Sequence, residues 1–207
     1  MQNMRDEELM LEYQKGEAKA MDELLRRYKN PVYRYAFRLC VNEAEAQDIA
    51  QETFLRIHQY RGQYRPIGKF STWLFGIAHN VAVSKFRCNS RFVLWPRKAD
   101  EPDEMVDMES QDPSPQQSLE KDDLETVLKK CVQSLPFLQK EALVLREYEN
   151  LDYEEIGKIL NKSLGTVKTL IHRARQSLKD KLLPYIEEFE GGTHGYMPLF
   201  RLIEQLP

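Results

Sequence analysis

The side chains best suited to proton transfer, nucleophilic attack or metal ligation in this 207-residue chain are His58, His79, His172, His194, Cys40, Cys88 and Cys131. The histidines lie on dissimilar segments, and none has a Ser, Cys or carboxylate at a spacing that makes a catalytic pair. The cysteines are odd in number and widely separated, with no Cys-x-x-Cys, so neither a disulfide framework nor a zinc site is indicated. No phosphate-binding glycine loop is present. The expectation is therefore a non-enzymatic protein with no catalytic residue, no metal and no cofactor, whose chemistry is recognition.

The charges say what is recognised. Net charge is −3, but the charges are segregated. From Arg56 to Lys98 the chain carries nine cations (Arg56, Arg61, Arg65, Lys69, Lys85, Arg87, Arg91, Arg97, Lys98) and no Asp or Glu. Eight aromatics are interleaved with them: Tyr60, Tyr64, Phe70, Trp73, Phe75, Phe86, Phe92 and Trp95. Cations mixed with aromatics suit single-stranded nucleic acid, because bases stack on aromatic faces while Lys and Arg follow the backbone. Some of these rings, Trp73 foremost, belong in a core, yet packing alone does not require the exclusion of every acid. A second basic cluster comprises Lys162, Lys168, Arg173, Arg175, Lys179 and Lys181. Between them, Ala99 to Asp112 holds seven acids and no cation. Two basic surfaces joined by an acidic tether point to two nucleic-acid contacts.

The elements that must position these residues read as helices throughout. Asn42 with Glu45 forms a capping pair, and Ala46, Ile49, Ala50, Thr53 and Ile57 follow at helical spacing. Ser71 or Thr72 can cap a helix whose buried stripe is Trp73, Ile77, Ala78 and Val81. Leu124, Val127, Leu128, Cys131, Val132 and Leu135 form another stripe that ends at Pro136. No stretch alternates as a strand does. The fold class is all-α: two small helical domains, an N-terminal helical bundle and a C-terminal helix-turn-helix, joined by a flexible acidic linker. The expected boundaries are 1–98, a linker at 99–117 containing Pro102, Pro113 and Pro115, a second domain at 118–183, and an extension at 184–207.

The sharpest local pattern runs from Leu151 to Leu182. Asp152 and Glu155 make a capping box for a short helix ending by Leu160. Asn161 and Lys162 turn the chain, and Ser163 caps the next helix. There Val167, Ile171, Ala174 and Leu178 share one face, while Thr166, Thr169, His172, Arg173 and Gln176 share the other. This is a helix-turn-helix arrangement, whose second helix enters the DNA major groove, with Lys168 and Arg175 placed to reach phosphates.

Apolar residues make up 42% and charged residues 30% of the chain, a soluble globular composition. No run of about 18 apolar residues is available to span a bilayer. The first residues lack the apolar core of a signal peptide, so the chain is expected in the cytoplasm, without stable membrane insertion.

Three segments together resemble the extracytoplasmic-function RNA polymerase sigma factors of the sigma-70 superfamily, over about Glu17 to Leu183. Ala44 to Arg56 (AEAQDIAQETFLR) resembles their polymerase-docking helix, Phe70 to Asn80 (FSTWLFGIAHN) their promoter-melting segment, and Ser134 to Arg175 their C-terminal domain. The resemblance implies that Asp48, Gln51, Glu52 and Leu55 bind the clamp coiled coil of core RNA polymerase. It implies that the −10 element is recognised and melted by the segment carrying Tyr64, Lys69, Phe70, Ser71, Trp73, His79, Asn80, Lys85 and Arg87. Duplex −35 DNA would be read by Lys162, Ser163, Thr166, Lys168, Thr169, His172, Arg173 and Arg175. The partners implied are core polymerase, promoter DNA and an anti-sigma factor, which can hold the protein at the membrane. Ser84, Arg87 and Cys88 stand where the family usually has an Asp followed by paired arginines. The extension past Pro184, with Gly191-Gly192 and an apolar tail from Tyr196 to Leu206, is expected to fold back on the C-terminal domain or to dock a regulatory partner.

Overall fold

Three carboxylates, Asp6, Glu7 and Glu8, open α1 (Asp6–Gln14), where they complement the positive end of the helix dipole. Gly16, at φ +104°, turns the chain into α2 (Ala18–Cys40), which runs past Pro31. The proline is the fourteenth of the helix's 23 residues, where its missing N–H removes one intrahelical hydrogen bond. A left-handed residue, Val41, closes α2, and the Asn42 side chain then caps α3 (Glu43–Tyr60) by accepting from the Glu45 N–H at 3.1 Å. A short 3-10 turn, Arg61–Gln63, leads to α4 (Phe70–Arg91). After it come α5 (Leu124–Gln133), α6 (Phe137–Glu147), α7 (Tyr153–Leu160) and α8 (Leu164–Glu188). The computed structural model describes residues 3–91 and 124–188, and no strand occurs among them. The expected linker at 99–117 and the apolar tail beyond residue 188 lie outside the described residues.

The periodicities place the helices as anticipated, with two adjustments. Ala46, Ile49, Thr53 and Ile57 are buried along α3, with Ala50 half-buried beside them. The first adjustment is at α4, which begins at Phe70, so Ser71 and Thr72 lie inside its first turn rather than capping it. The orphan Phe70 N–H is instead satisfied by the Glu7 carboxylate of α1, at 2.8 Å. The second concerns the stripe on α4, which includes Leu74, Phe75 and Ala82 besides Ile77, Ala78 and Val81, because α4 is buried on more than one side. It packs against α1, α2, α3 and α7.

Packing around the helix-turn-helix explains why a glycine stands at 157. A methyl added there would lie 2.9 Å from the Lys162 carbonyl oxygen, closer than a Cβ tolerates, so the turn closes only over a residue without one. The turn itself uses Asn161 in the left-handed region, φ 52°, a conformation asparagine tolerates better than most residues. Gly157→Ala is expected to destabilise the protein by about 1–3 kcal/mol through this overpacking. A fall in the thermal midpoint checks it, and an unchanged midpoint would mean that the turn can shift freely.

The buried side chains form two clusters. The smaller lies wholly in the C-terminal half and joins Val127, Cys131 and Leu135 to Leu143, Ala174, Leu178 and Leu182. The larger runs through α1 to α4 and continues without interruption into Ala142, Val144, Leu145, Leu151, Ile156, Ile159, Val167 and Ile171. The two halves therefore share one core. α4 packs on α7, and α2 on α6.

Candidate nucleic-acid interface

The recognition helix is built from its cap outward. Asp152 accepts from the Glu155 N–H at 2.8 Å and Glu155 accepts from the Asp152 N–H at 3.0 Å, so the capping box of α7 is complete. The backbone bond from Glu155 holds the Asp152 carboxyl below the usual carboxylate range. At the head of α8 the Ser163 hydroxyl accepts from the Thr166 N–H at 3.2 Å, while Val167, Ile171, Ala174 and Leu178 turn inward and are buried. Lys162, Ser163, Thr166, Lys168, Thr169, His172, Arg173 and Gln176 all stand exposed. Arg175 behaves differently. Its guanidinium is only 14% exposed and bonds the Glu147 carboxylate at 2.6 Å, so in this arrangement it braces α8 against α6 rather than facing solvent as a phosphate contact. Spacing alone placed it on the flank, and the acidic partner on α6 draws it inward.

On α4 the exposed and buried residues also sort themselves. Tyr64 and Phe70 are each 1% exposed and form, with Tyr28 and the half-buried Trp73, a cluster of edge-on and tilted rings 5.0–6.0 Å apart. This is aromatic core packing. Burial of the Tyr64 hydroxyl, which has no hydrogen-bond partner, pushes its ionisation up to about 12. Three of the rings singled out for stacking are thus turned into the bundle, because α4 wraps around them with α1 and α2. Lys69, Asn80 and Arg87 are exposed, and Ser71 is half-buried. Ile67, in the loop before α4, is 92% exposed beside Arg65 and Lys69. Nothing in its spacing distinguished it from a core residue.

The third candidate surface lies on the outer face of α3. Asp48, Gln51 and Leu55 are exposed, Leu55 by 51%, and Glu52 is half-buried. They line a groove between α3 and α4 whose other wall includes Val81, Ser84 and Lys85. Arg56 pairs with Glu52 at 2.8 Å, and Lys85 reaches across to Asp48 at 3.1 Å. Lys85, expected among the DNA contacts, therefore shares this groove with the acidic strip. The result is an apolar centre bordered by paired charges, suited to a helical partner with basic residues.

Sequence reasoning missed what joins the two halves. Glu141 on α6 is fully buried; its Oε1 receives the Tyr35 hydroxyl of α2 and lies 2.8 Å from His79 Nδ1 of α4. Glu155 on α7 bonds Lys69 Nζ at 3.0 Å and the Thr72 hydroxyl at 3.1 Å, and this partner raises the Lys69 ammonium. Lys140 Nζ donates to the Leu39 carbonyl at 3.2 Å, and burial pushes that ammonium down. Gln133 donates to the Arg38 carbonyl at 2.8 Å, the Arg38 guanidinium lies 3.8 Å from the Tyr148 ring centre, and Phe86 packs on Phe137. Nothing local signals these pairs, since they join residues 51 to 110 positions apart. The four histidines do not converge: His79 meets Glu141, His58 meets Tyr13, His172 stands exposed, and His194 lies outside the described residues. No group of His, Cys, Asp and Glu that could hold a metal occurs among the described residues.

Comparison with known proteins finds similarity in both halves of the chain. Residues 24–92 match the Sigma-70 region 2 family and residues 126–178 match Sigma-70, region 4. The ECF RNA polymerase sigma factor SigE of Mycolicibacterium smegmatis is 38% identical over 81% of this chain, which spans 63% of that relative's length. The RNA polymerase sigma-H factor of Pseudomonas aeruginosa is 31% identical over 89% of this chain and 97% of its own. ECF RNA polymerase sigma factor SigW of Bacillus subtilis is 30% identical, covering 81% and 91% of the two chains. Among solved structures, the fold is similar to CnrH in complex with the cytosolic domain of CnrY, with a TM-score of 0.63 at 21% identity over 86% of this chain and 97% of that one. It is also similar to the sigma factor RpoE in complex with the anti-sigma factor NepR from Bartonella quintana, with a TM-score of 0.61 at 22% identity over 80% and 98%. With both sigma-70 regions matched in order and relatives of this identity spanning most of the chain, the protein belongs to the extracytoplasmic-function family of RNA polymerase sigma factors.

Proposed function

We infer that this protein binds core RNA polymerase and directs promoter-specific transcription initiation, reading duplex −35 DNA with α8 and taking the −10 strand along α4, under the control of an anti-sigma factor. It works by binding and placement, not by catalysis, and it acts in the cytoplasm, where its polymerase is. The observation that carries this reading is the exposed row Thr166, Thr169, His172 and Arg173 on a fully capped helix-turn-helix, in one chain with a basic helix that carries a separate apolar-acidic groove. Residues 1–98 form the polymerase-docking and −10 domain, 99–117 the acidic linker, 118–183 the −35 domain and 184–207 an extension. Asp48, Gln51, Glu52 and Leu55 receive the polymerase clamp. Lys69, Ser71, His79, Asn80 and Arg87 meet the −10 strand directly, with Lys85 shared between strand and groove. Tyr64, Phe70 and Trp73 serve it from the core by fixing the loop before α4.

In-vitro transcription with core polymerase, this protein and fragmented genomic DNA tests the reading. Discrete start sites sharing two spaced upstream elements are expected. Tight duplex binding by the protein alone, with no specific start when polymerase is added, would make it a conventional helix-turn-helix regulator. Within the same assay, Arg173→Ala is expected to reduce discrimination at the −35 element by about 1–3 kcal/mol if the guanidinium bonds a base edge. A uniform loss over all −35 variants would place Arg173 on phosphate.

A further inference from the structure

We propose that α1 sets selectivity at the −10 element, with Glu7 and Gln14 as positioning residues that fasten the two ends of the loop at 65–69. This rests on the assignment of that loop and α4 to the −10 strand. Every residue from Arg65 to Lys69 is exposed, Ile67 by 92%, yet the loop hangs between two rings, Tyr64 and Phe70, that are each 1% exposed. It presents two cations and an apolar side chain to solvent. Little inside it fixes its shape, because Pro66 has no N–H to donate and the Ile67 N–H only turns back to the Arg65 carbonyl at 2.8 Å.

The ends are held from α1. At the near end the Gln14 amide donates to the Tyr64 carbonyl at 3.0 Å and also to the Arg61 carbonyl, spanning the 3-10 turn that leads into the loop. At the far end the Glu7 carboxylate accepts from the Phe70 N–H at 2.8 Å. Seven residues separate Glu7 from Gln14, close to two helical turns, so both side chains leave the same face of α1 about 10 Å apart along its axis. The helix that carries them is itself well seated. Leu9 and Met10 are fully buried, and Asp6 pairs with Arg27 of α2 at 2.6 Å. A fixed rod with two polar fasteners thus sets the separation and direction of the loop ends.

Fastening of this kind acts on selectivity more than on folding. A base read by the loop gains its contacts only while the loop holds one shape. If that shape must be imposed at binding, a matched strand loses affinity, whereas a mismatched strand, which makes no such contact, is unaffected. Removing one cap bond shifts the ratio of held to released loop by about fivefold, and the preference for the matched base should fall by roughly that factor.

The test uses the full-length protein with core polymerase, transcribing from a promoter it recognises and from single-base variants of both elements. Gln14→Ala and Glu7→Ala are each expected to lower base preference roughly fivefold at one or two adjacent −10 positions, while preference at the −35 element stays at the wild-type value. Glu7→Gln keeps an oxygen that can accept from the Phe70 N–H, so it should retain the wild-type preference. In the free protein, amide hydrogen exchange over residues 61–70 should quicken in both alanine variants. Should Glu7→Ala fail to fold, Gln14→Ala carries the test, since its side chain is half-buried and truncating it leaves the core untouched.

A uniform loss of output on every promoter would overturn the proposal, because a merely structural helix would act in that way. Faster exchange with unchanged −10 preference would also overturn it, by showing that α1 fastens a loop that reads no base. A loss in Glu7→Gln as large as in Glu7→Ala would remove the capping role of Glu7. Specific starts from the wild type, with unchanged preference in the variants, would sink this proposal and leave the sigma reading intact, whereas no specific start from the wild type would sink both.

Discussion

Phe70→Ala is expected to lower stability by about 3–5 kcal/mol, the range for truncating a fully buried phenylalanine. The ring is 1% exposed and packs edge-on to Tyr28 at 5.3 Å and Tyr64 at 6.0 Å, with Trp73 also at 6.0 Å. Its backbone N–H is held by Glu7 of α1. Removing it opens a cavity where α1, α2 and α4 meet, and takes with it the ring contacts that fix the loop at 65–69. Against a total of about 5–15 kcal/mol for a typical protein, that is a large share. Phe70→Leu, which keeps most of the volume, should cost less than about 2 kcal/mol. Urea unfolding of the three proteins measures it. A Phe70→Ala variant with wild-type midpoint but weakened single-strand binding would show instead that the ring stacks on bases and is not core.

The second large effect is expected at the α3 groove and should be invisible to folding. Leu55 is 51% exposed on the face opposite Ala46, Ile49 and Ile57, so Leu55→Asp should change stability by no more than about 0.5 kcal/mol. If the groove is where polymerase docks, an aspartate at its apolar centre places an unpaired carboxylate in a buried contact. Loss of a central apolar anchor costs about 2 kcal/mol or more, roughly thirtyfold in the dissociation constant. Titration of labelled protein with core polymerase reads that loss directly, with thermal melting as the control. Wild-type affinity in the variant would exclude Leu55 from the docking surface and move attention to the Lys85 wall of the groove.

How much of this was legible beforehand follows the range of the forces involved. The helix-turn-helix could be read from Asp152, Glu155, Asn161 and Ser163, because caps and turns are made by residues three or four apart. The exposed row from Thr166 to Arg173 followed from helical periodicity, as did the buried stripe of α3. The start of α4 was misplaced by two or three residues because its first N–H group is satisfied by Glu7, 63 positions away. Arg175 was assigned to the outer flank for a similar reason, since Glu147 is brought beside it only when α6 packs on α8.

The sequence by itself determined the helical class, the segregation of charge into basic and acidic stretches, and the exposed row from Thr166 to Arg173 on the second helix of the helix-turn-helix. Those properties depend on composition and on periods of a few residues, and any chain with this pattern must express them. The tertiary structure alone decided which aromatics of the basic segment are core, that Lys85 joins the α3 groove, and that the two halves close on each other through Glu141 and Glu155. Each of these depends on side chains that meet across long stretches of chain, where burial of apolar surface decides the fit and charge then selects the partner. A pattern of spacings carries no record of that choice.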